Sequence, residues 1–329
     1  MKKEKKRILT FAQAINEAQH QALKLNNNIF IFGQAVDKTK NVFGTSEGIL
    51  EKFGKKRIFD TANSEQAETM LAAGAAINGL RPILIHHRVD FMAYSFDQLV
   101  NWISLWAFKS SKKSFLPLVI RGIIGKGWGQ GPQHAKTLHS MFAYLPGLKV
   151  VMPSSPSEAK GLLLSSIMSN DPVIFLEYRS LYNTKEYVPK NPYYIKIDEP
   201  RKRLSGKDLT IIAMGSSVLT SIEAIKKLEE KKISVELIDL RSVSNFNYKE
   251  IFKSARKTRR ILVVEDGWKK LSISSEIISR INEENIILKK PPRRICWPNS
   301  HIPMNRPLEK RFYFDYNDVV KECIKLMKN

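Results

Sequence analysis

One segment places a carboxylate directly after a helix cap, just past the end of a strand: Phe59-Asp60-Thr61-Ala62-Asn63-Ser64-Glu65-Gln66. Parallel α/β sheets bind ligands in the crevice outside the carboxyl ends of their strands, so Glu65 is positioned to share or accept a proton there. The same placement also serves the helix dipole, worth ~0.3–1 kcal/mol with no other role, and the local pattern leaves both open. A second segment, Gly125-Lys126-Gly127-Trp128-Gly129-Gln130-Gly131-Pro132-Gln133-His134, puts four glycines into seven residues. Such a loop can flex, approach a ligand closely or close over it. It lacks the Lys-Ser/Thr ending of a phosphate-cradling loop. His134, at its far end, has the intrinsic pKa to move protons near neutrality, or simply satisfies a carbonyl. His86-His87-Arg88 follows another strand and can line the same crevice, but no third ligand nearby completes a metal site. Phe91, Tyr94 and Phe96 serve either as core or as an aromatic platform.

Those residues need a scaffold of alternating strands and helices, and the hydrophobic pattern supplies one. Thr10 caps a helix to about residue 25, with Ala14, Ile15, Ala18 and Ala22 as its apolar stripe. Buried strands are expected at 29–33, 57–60, 82–85, 116–121, 148–152 and 172–176. Helices are expected at 64–78, 96–108 and 157–168, and Gly79 stops the first of these. Repeated strand–helix units imply a parallel sheet covered on both faces. Between 178 and 207 the periodicity fails amid Pro189, Pro192 and Pro200, which reads as a surface linker. A second α/β set follows, with strands at 209–214, 235–239 and 261–265 and helices at 218–231, 248–255, 274–282 and 317–327. The expected fold is therefore α/β with two doubly wound domains, 1–180 and 208–329, joined by a linker at 181–207.

The 329 residues carry 54 Lys and Arg against 32 Asp and Glu, a net charge of +22. Such a surface suits nucleic acid, or an acidic partner and anionic ligands. The positive residues lie in scattered clusters, in no recognisable nucleic-acid module and beside no interleaved aromatics, which favours the second reading. No apolar run approaches the ~20 residues of a membrane span, and no secretory signal follows the basic start. Cys296 and Cys323 have neither metal nor redox spacing, which suits a reducing, cytoplasmic setting.

Over nearly its whole length the sequence resembles the β subunits of the 2-oxo acid dehydrogenase first component and, more broadly, the C-terminal half of transketolase. The resemblance rests on Arg57-Ile58-Phe59-Asp60-Thr61 through Glu65, Gly79-Leu80-Arg81-Pro82, Asp90-Phe91, Phe96-Asp97-Gln98 and Gly131-Pro132-Gln133-His134. It continues through Pro146-Gly147-Leu148-Lys149-Val150-Val151, Asp171-Pro172-Val173, Phe175-Leu176-Glu177, Val235-Glu236-Leu237-Ile238-Asp239 and Val264-Glu265-Asp266-Gly267-Trp268. It implies a domain that binds the pyrimidine of thiamine diphosphate, followed by a transketolase C-terminal-like domain. Glu65 falls on the family's glutamate that bonds the aminopyrimidine and favours its imino tautomer, which activates the thiazolium carbon. Phe91 falls on the aromatic that packs against the pyrimidine, Gln34 beside the cofactor, and His134 on the histidine that guides the acyl intermediate. Backbone oxygens of Leu118, Ser166, Ile167, Ser169 and Asp171 match positions that hold potassium in some relatives.

The family's Gly-Asp-Gly segment with an asparagine about thirty residues later, which holds the Mg2+-diphosphate, is missing; Glu265-Asp266-Gly267 lacks the first glycine. The resemblance thus implies an α-type partner carrying that motif, in an α2β2 assembly. The expected reaction is decarboxylation of a 2-oxo acid and transfer of the acyl group to a lipoyl carrier, with a lipoyl acyltransferase as a further partner. The alternative is a split transketolase-like or acyloin-forming synthase that passes a two-carbon unit to an aldehyde. Gln34 and Ala35 replace two acids usual in the family, and Ile85, His86, His87 and Arg88 replace a glutamate and apolar residues. Those changes fall where the substrate approaches, so His86, His87 and Arg88 are expected to line a pocket for a polar or anionic substrate.

Overall fold

The computed structural model describes residues 7–38 and 42–328. The first unit runs β1 (Ile8–Thr10), α1 (Phe11–Leu25), β2 (Ile29–Gly33), α2 (Ile49–Phe53), β3 (Ile58–Asp60), α3 (Glu65–Ile77) and β4 (Arg81–His86). It continues with α4 (Trp106–Lys109), β5 (Val119–Ile124), α5 (His139–Ala143), β6 (Lys149–Val151), α6 (Pro156–Met168) and β7 (Val173–Tyr178). Strands β2 to β7 form a six-stranded parallel sheet in the order β3-β2-β4-β5-β7-β6. These strands are apolar on both faces, as a sheet covered by helices on both sides requires. From β2 the chain moves outward to β3 and then crosses back to β4 on the other side. The crevice between the carboxyl ends of β2 and β4 is therefore the topological switch point, the place where such sheets accept ligands.

Local chemistry explains the main elements. Thr10 caps α1 reciprocally with Gln13: the Gln13 amide donates to the Thr10 hydroxyl at 3.1 Å, and Gln13 Oε1 accepts from the Thr10 amide at 2.9 Å. Phe11, Ala14, Ile15, Ala18 and Ala22 are fully buried along one stripe of α1. The helix expected at 96–108 is broken into a 3-10 turn at Phe91–Ser95, a π-helical segment at Gln98–Ile103 and the short α4. The cause lies at Ser104: its amide reaches back to Leu99 O at 3.0 Å while its hydroxyl donates to Val100 O at 2.8 Å, which widens the turn.

Segment 181–207 contains two strands that charge conceals in the sequence. β8 (Lys185–Tyr187) pairs antiparallel with β1, and β9 (Arg201–Leu204) lies antiparallel on β11 at the edge of the second sheet. Charged edge strands of this kind show no apolar alternation. The second unit contains β10 (Leu209–Ala213), α7 (Ser216–Glu229), β11 (Val235–Asp239), α8 (Lys249–Thr258), β12 (Ile261–Trp268) and α9 (Ile273–Glu283). β13 (Arg293–Trp297), α10 (Arg306–Phe312) and α11 (Tyr316–Met327) close it. Its sheet, in the order β13-β12-β10-β11-β9, is parallel except for β9, so it is mixed. One hydrophobic cluster spans both units, and a second lies within the second unit alone. Their backbones also join directly, Met152 N to Arg241 O at 2.7 Å and Val243 N to Val150 O at 2.9 Å.

Candidate active site

The expected catalytic, cofactor and substrate-pocket residues lie at or after the carboxyl edge of the first sheet, whereas Leu118, Ser166, Ile167, Ser169 and Asp171, the positions expected to hold potassium, lie before β5, in and after the end of α6, and before β7. Gln34 follows β2, and Glu65 opens α3 after β3. Their side chains meet across the switch point, with Gln34 Nε2 donating to Glu65 Oε1 at 3.0 Å. No other described side chain donates to the Glu65 carboxylate, which is only half-buried and so open to a ligand. Ser95 ties the helix start in place by donating to the Glu65 carbonyl at 2.8 Å, and Thr69 donates to Ser95 Oγ at 2.9 Å. One turn along α3 lies a second carboxyl group, Glu68. It is buried, accepts from Thr61 Oγ1 at 2.8 Å through one oxygen, and has no partner on the other. Burial pushes its pKa up, and the neighbouring Glu65 adds to that push.

The three residues after Ile85 take distinct positions. His86 is 1% exposed, with Nε2 3.5 Å from Thr69 Oγ1 and Nδ1 unpartnered. Burial lowers its pKa to about 4; the Glu65 charge opposes this and His87 reinforces it, so the ring is neutral at physiological pH. Burial and the adjacent Arg88 charge lower the pKa of His87, with the Gln34 backbone opposing them. Arg88 turns away toward the glycine-rich loop, donating to His87 O at 2.9 Å and Gln130 Oε1 at 2.8 Å. Phe91 meets His134 edge to face, with ring centroids 5.4 Å apart, so an apolar ring and an imidazole stand together beside the crevice.

The glycine-rich loop is braced rather than free. Lys126 forms an ion pair with the buried Asp266 at 2.5 Å, and the Gly129 amide donates to Glu309 Oε2 at 2.7 Å. A Cβ at Gly125 would stand 2.2 Å from the His134 carbonyl, so only glycine permits that approach. The second domain thus fixes the loop that carries His134. Beside it, the buried His139 bonds Glu265 Oε1 at 2.8 Å, and Glu265 also accepts from the amides of Ile273 and Ser274.

Protein donors already reach several of the oxygens expected to hold potassium. Arg81 Nη1 donates to the carbonyls of Ile167 and Ser169 at 3.0 and 2.9 Å, so a guanidinium already occupies two of the five oxygens. The Leu118 carbonyl accepts from the Val173 amide at 2.8 Å and the Ser166 carbonyl from the Ser169 amide at 3.2 Å. Among the described residues no group of three or more His, Cys, Asp or Glu could hold a metal ion, and no helix is long and apolar enough to cross a membrane.

Several site-forming residues escaped the sequence reading. Glu68 carried a signal, its i,i+3 spacing from Glu65 on one helix face. Arg179 also carried one, since it directly follows the carboxyl end of β7. Its guanidinium carbon lies 3.6 Å from the Phe43 ring centroid and 3.4 Å from that of Trp128. Phe43 and the pairing of His139 with Glu265 carried none, because tertiary contacts alone bring them to the site.

Comparison with known proteins agrees with this architecture. Residues 8–185 match the family profile described as transketolase, pyrimidine binding domain, and residues 199–319 match transketolase, C-terminal domain. The chain is 33% identical over 334 aligned positions to the acetoin:2,6-dichlorophenolindophenol oxidoreductase subunit beta of Bacillus subtilis (strain 168), covering 98% of each. It is 35% identical over 317 positions to a pyruvate dehydrogenase E1 component subunit beta of Staphylococcus aureus (strain COL), covering 96% of this chain and 97% of that one. Among solved structures, an inactive β4 tetramer of a split-gene transketolase superposes with a TM-score of 0.80 at 19% identity, over 97% of this chain and 98% of that one. Transketolase from Campylobacter jejuni gives 0.72 at 15% identity, over 98% of this chain and 47% of that one.

Proposed function

The chain belongs to the transketolase-like family, among the β subunits of 2-oxo acid dehydrogenase E1 components, and from that membership we propose that it activates thiamine diphosphate in a two-chain enzyme. With an α-type partner it decarboxylates a 2-oxo acid and passes the acyl group to a lipoyl carrier. The alternative, a split transketolase-like or acyloin-forming synthase, is less favoured: the curated relatives above 30% identity are dehydrogenase and acetoin-oxidising subunits, and the likeness to split transketolase concerns the fold alone.

The observation that carries this reading is the Glu65 carboxylate at the switch point, held by Gln34 and otherwise without a donor among the described side chains. These residues fit the cofactor's pyrimidine half: a carboxyl group free to bond a ring nitrogen, the apolar face of Phe91, and His134 beside it. When bound, thiamine diphosphate supplies a nucleophilic carbon and a sink for the electrons of the broken carbon–carbon bond. Glu65 would hold a proton at the pyrimidine nitrogen, with Gln34 fixing the carboxylate's orientation. His134, set by the braced loop, would donate to or accept from oxygen on the reacting group. His86 stays neutral behind Glu65 and lends it no positive charge.

The diphosphate and its Mg2+ fall to the partner chain, since this sequence has no Gly-Asp-Gly with a spaced asparagine. Exposed apolar side chains around α3 and the following turns, including Leu71, Tyr94, Trp102 and Phe108, suit an assembly such as α2β2. No role is assigned to potassium, given Arg81's hold on two of the expected carbonyls.

The test is Glu65→Gln in the reconstituted pair. Exchange of the cofactor's reactive carbon-bound proton should fall by about a hundredfold or more, the scale of a lost acid–base group, while assembly persists. Exchange at the wild-type rate would remove Glu65 from this role.

A further inference from the structure

We propose that Glu68 is a second functional acid of the site: in the cofactor-free protein Glu65 and Glu68 share one proton, Glu68 carries it, and Glu68 gives it up toward the pyrimidine nitrogen when thiamine diphosphate docks on Glu65. This rests on the thiamine-diphosphate reading above. Both carboxyl groups belong to the first turn of α3, three residues apart, a spacing that sets Cβ atoms ~5–6 Å from each other. Glu68 is 4% exposed; its Oε1 accepts from Thr61 Oγ1 at 2.8 Å, and its Oε2 has no partner. Glu65 is half-buried and accepts from Gln34 Nε2 at 3.0 Å. Neither carboxyl group forms an ion pair with a described residue.

The elements packed on this end of α3 bring no compensating cation. On β4, His86 is neutral at physiological pH, its pKa lowered to about 4, and Arg81, at the far end of that strand, is engaged with the Ile167 and Ser169 carbonyls. The turn at Phe91–Ser95 has only the exposed Tyr94 as an ionisable group, and the π-helical segment Gln98–Ile103 has none. After β3, Asp60 is a third acid, with Oδ1 taken by the amides of Ala35 and Thr61. The helix N-terminus favours one negative charge here. Two ionised carboxylates one turn apart repel, the more so when one is buried, so the pair retains a proton. That proton belongs on Glu68, because a buried carboxylate with a bare oxygen lacks the donors its charge needs, whereas Glu65 has the Gln34 amide and solvent. Burial above all, with the Glu65 charge, pushes the Glu68 pKa up against Thr61, the Ser64 backbone and Gln34.

The transfer balances within the crevice. The O–H bond of Glu68 breaks, an N–H bond forms at the ring nitrogen that Glu65 faces, and Glu68 is left as a carboxylate. The ring gains the positive charge that Glu68 gives up, so the net charge of the site is unchanged. Docking then draws no proton from bulk water. An ionised Glu68 serving only the helix dipole has no proton to give, and the proton must come from solvent.

The test uses the heteromer reconstituted with its α-type chain. Protons taken up as thiamine diphosphate binds with Mg2+ are measured by titration calorimetry near neutral pH, in two buffers of different ionisation enthalpy. Glu68→Gln should take up about one proton per site more than the wild type, and its Kd should rise about tenfold more per pH unit. Glu68→Asp should move the uptake back toward the wild-type value. Equal uptake in wild type and Glu68→Gln would overturn the proposal and leave Glu68 as an acid of the helix end. The wild type alone gives a second readout: its infrared spectrum should lose an un-ionised carboxyl band as the cofactor binds, and no loss would overturn the shared proton. The two readings fail separately. Exchange of the cofactor's reactive proton, with equal uptake and no infrared change, keeps the thiamine-diphosphate reading and removes Glu68 from this role. A heteromer that binds no thiamine diphosphate overturns that reading, while an un-ionised carboxyl band in the wild type that Glu68→Gln lacks keeps the shared proton; absence of that band overturns both.

Discussion

Replacing His86 with glutamine should make the protein less sensitive to acid. The folded ring takes a proton only near pH 4, because it is 1% exposed and its Nδ1 has no partner, whereas the unfolded chain's histidine takes one near 6.5. Between those values the unfolded state binds more protons. Stability is therefore lost as pH falls from about 6.5, and the loss is complete once pH is below about 4. At roughly 1.36 kcal/mol per pKa unit, this one group costs roughly 2 kcal/mol by pH 5 and approaches about 3 kcal/mol near pH 4. Glutamine cannot be protonated and can still face Thr69. Thermal unfolding of wild type and H86Q, at one protein concentration and at pH 7.5 and 5, isolates this contribution because all other groups titrate in both. The gap between the two midpoints should move in favour of H86Q by roughly 3 °C on going to pH 5. Parallel pH dependences would refute the assignment of a neutral, desolvated imidazole behind Glu65.

Three further outcomes follow from the same contacts. Arg121 and Glu177 are fully buried and doubly bonded, at 2.5 and 3.0 Å, so Arg121→Met strands a buried carboxylate and should cost about 3–5 kcal/mol, visible as a collapse of the melting midpoint that Arg121→Met/Glu177→Gln largely reverses. Gly125→Ala pushes a methyl against the His134 carbonyl; turnover should fall at least about tenfold while cofactor proton exchange, the role proposed for Glu65, survives. Exchanging potassium for sodium should leave the melting temperature unchanged, since Arg81 already engages Ile167 and Ser169; a clear stabilisation by potassium alone would restore the ion to that place.

The fold was legible where hydrophobic periodicity was undisturbed. The runs at 29–33, 235–239 and 261–265 are fully or nearly buried strands, and Thr10 caps its helix as its residue type suggests. It was illegible where charge or backbone irregularity hid the pattern. Lys185-Glu186-Tyr187 and Arg201-Lys202-Arg203-Leu204 look like solvent-exposed linker but form edge strands, and Ser104 breaks what reads as one continuous helix. The site divides in the same way. Glu65, Gln34, His87 and His134 stand at strand ends or beside them, where position alone suggests a role. Phe43 is brought to Arg179 only by tertiary packing, and no local spacing encodes that.

The bracing of the glycine-rich segment has a bearing on how this polypeptide can be cut, swapped or recombined. Asp266, Glu309 and Met304, all beyond residue 208, grip Lys126, Gly129 and Gly131 respectively. A chimera that took its last third from a relative would import foreign latches, and the imidazole they steady would drift although every side chain of the first domain was native. The two halves are thus obliged to change together, and variation at the far end of the chain can tune turnover without touching the crevice.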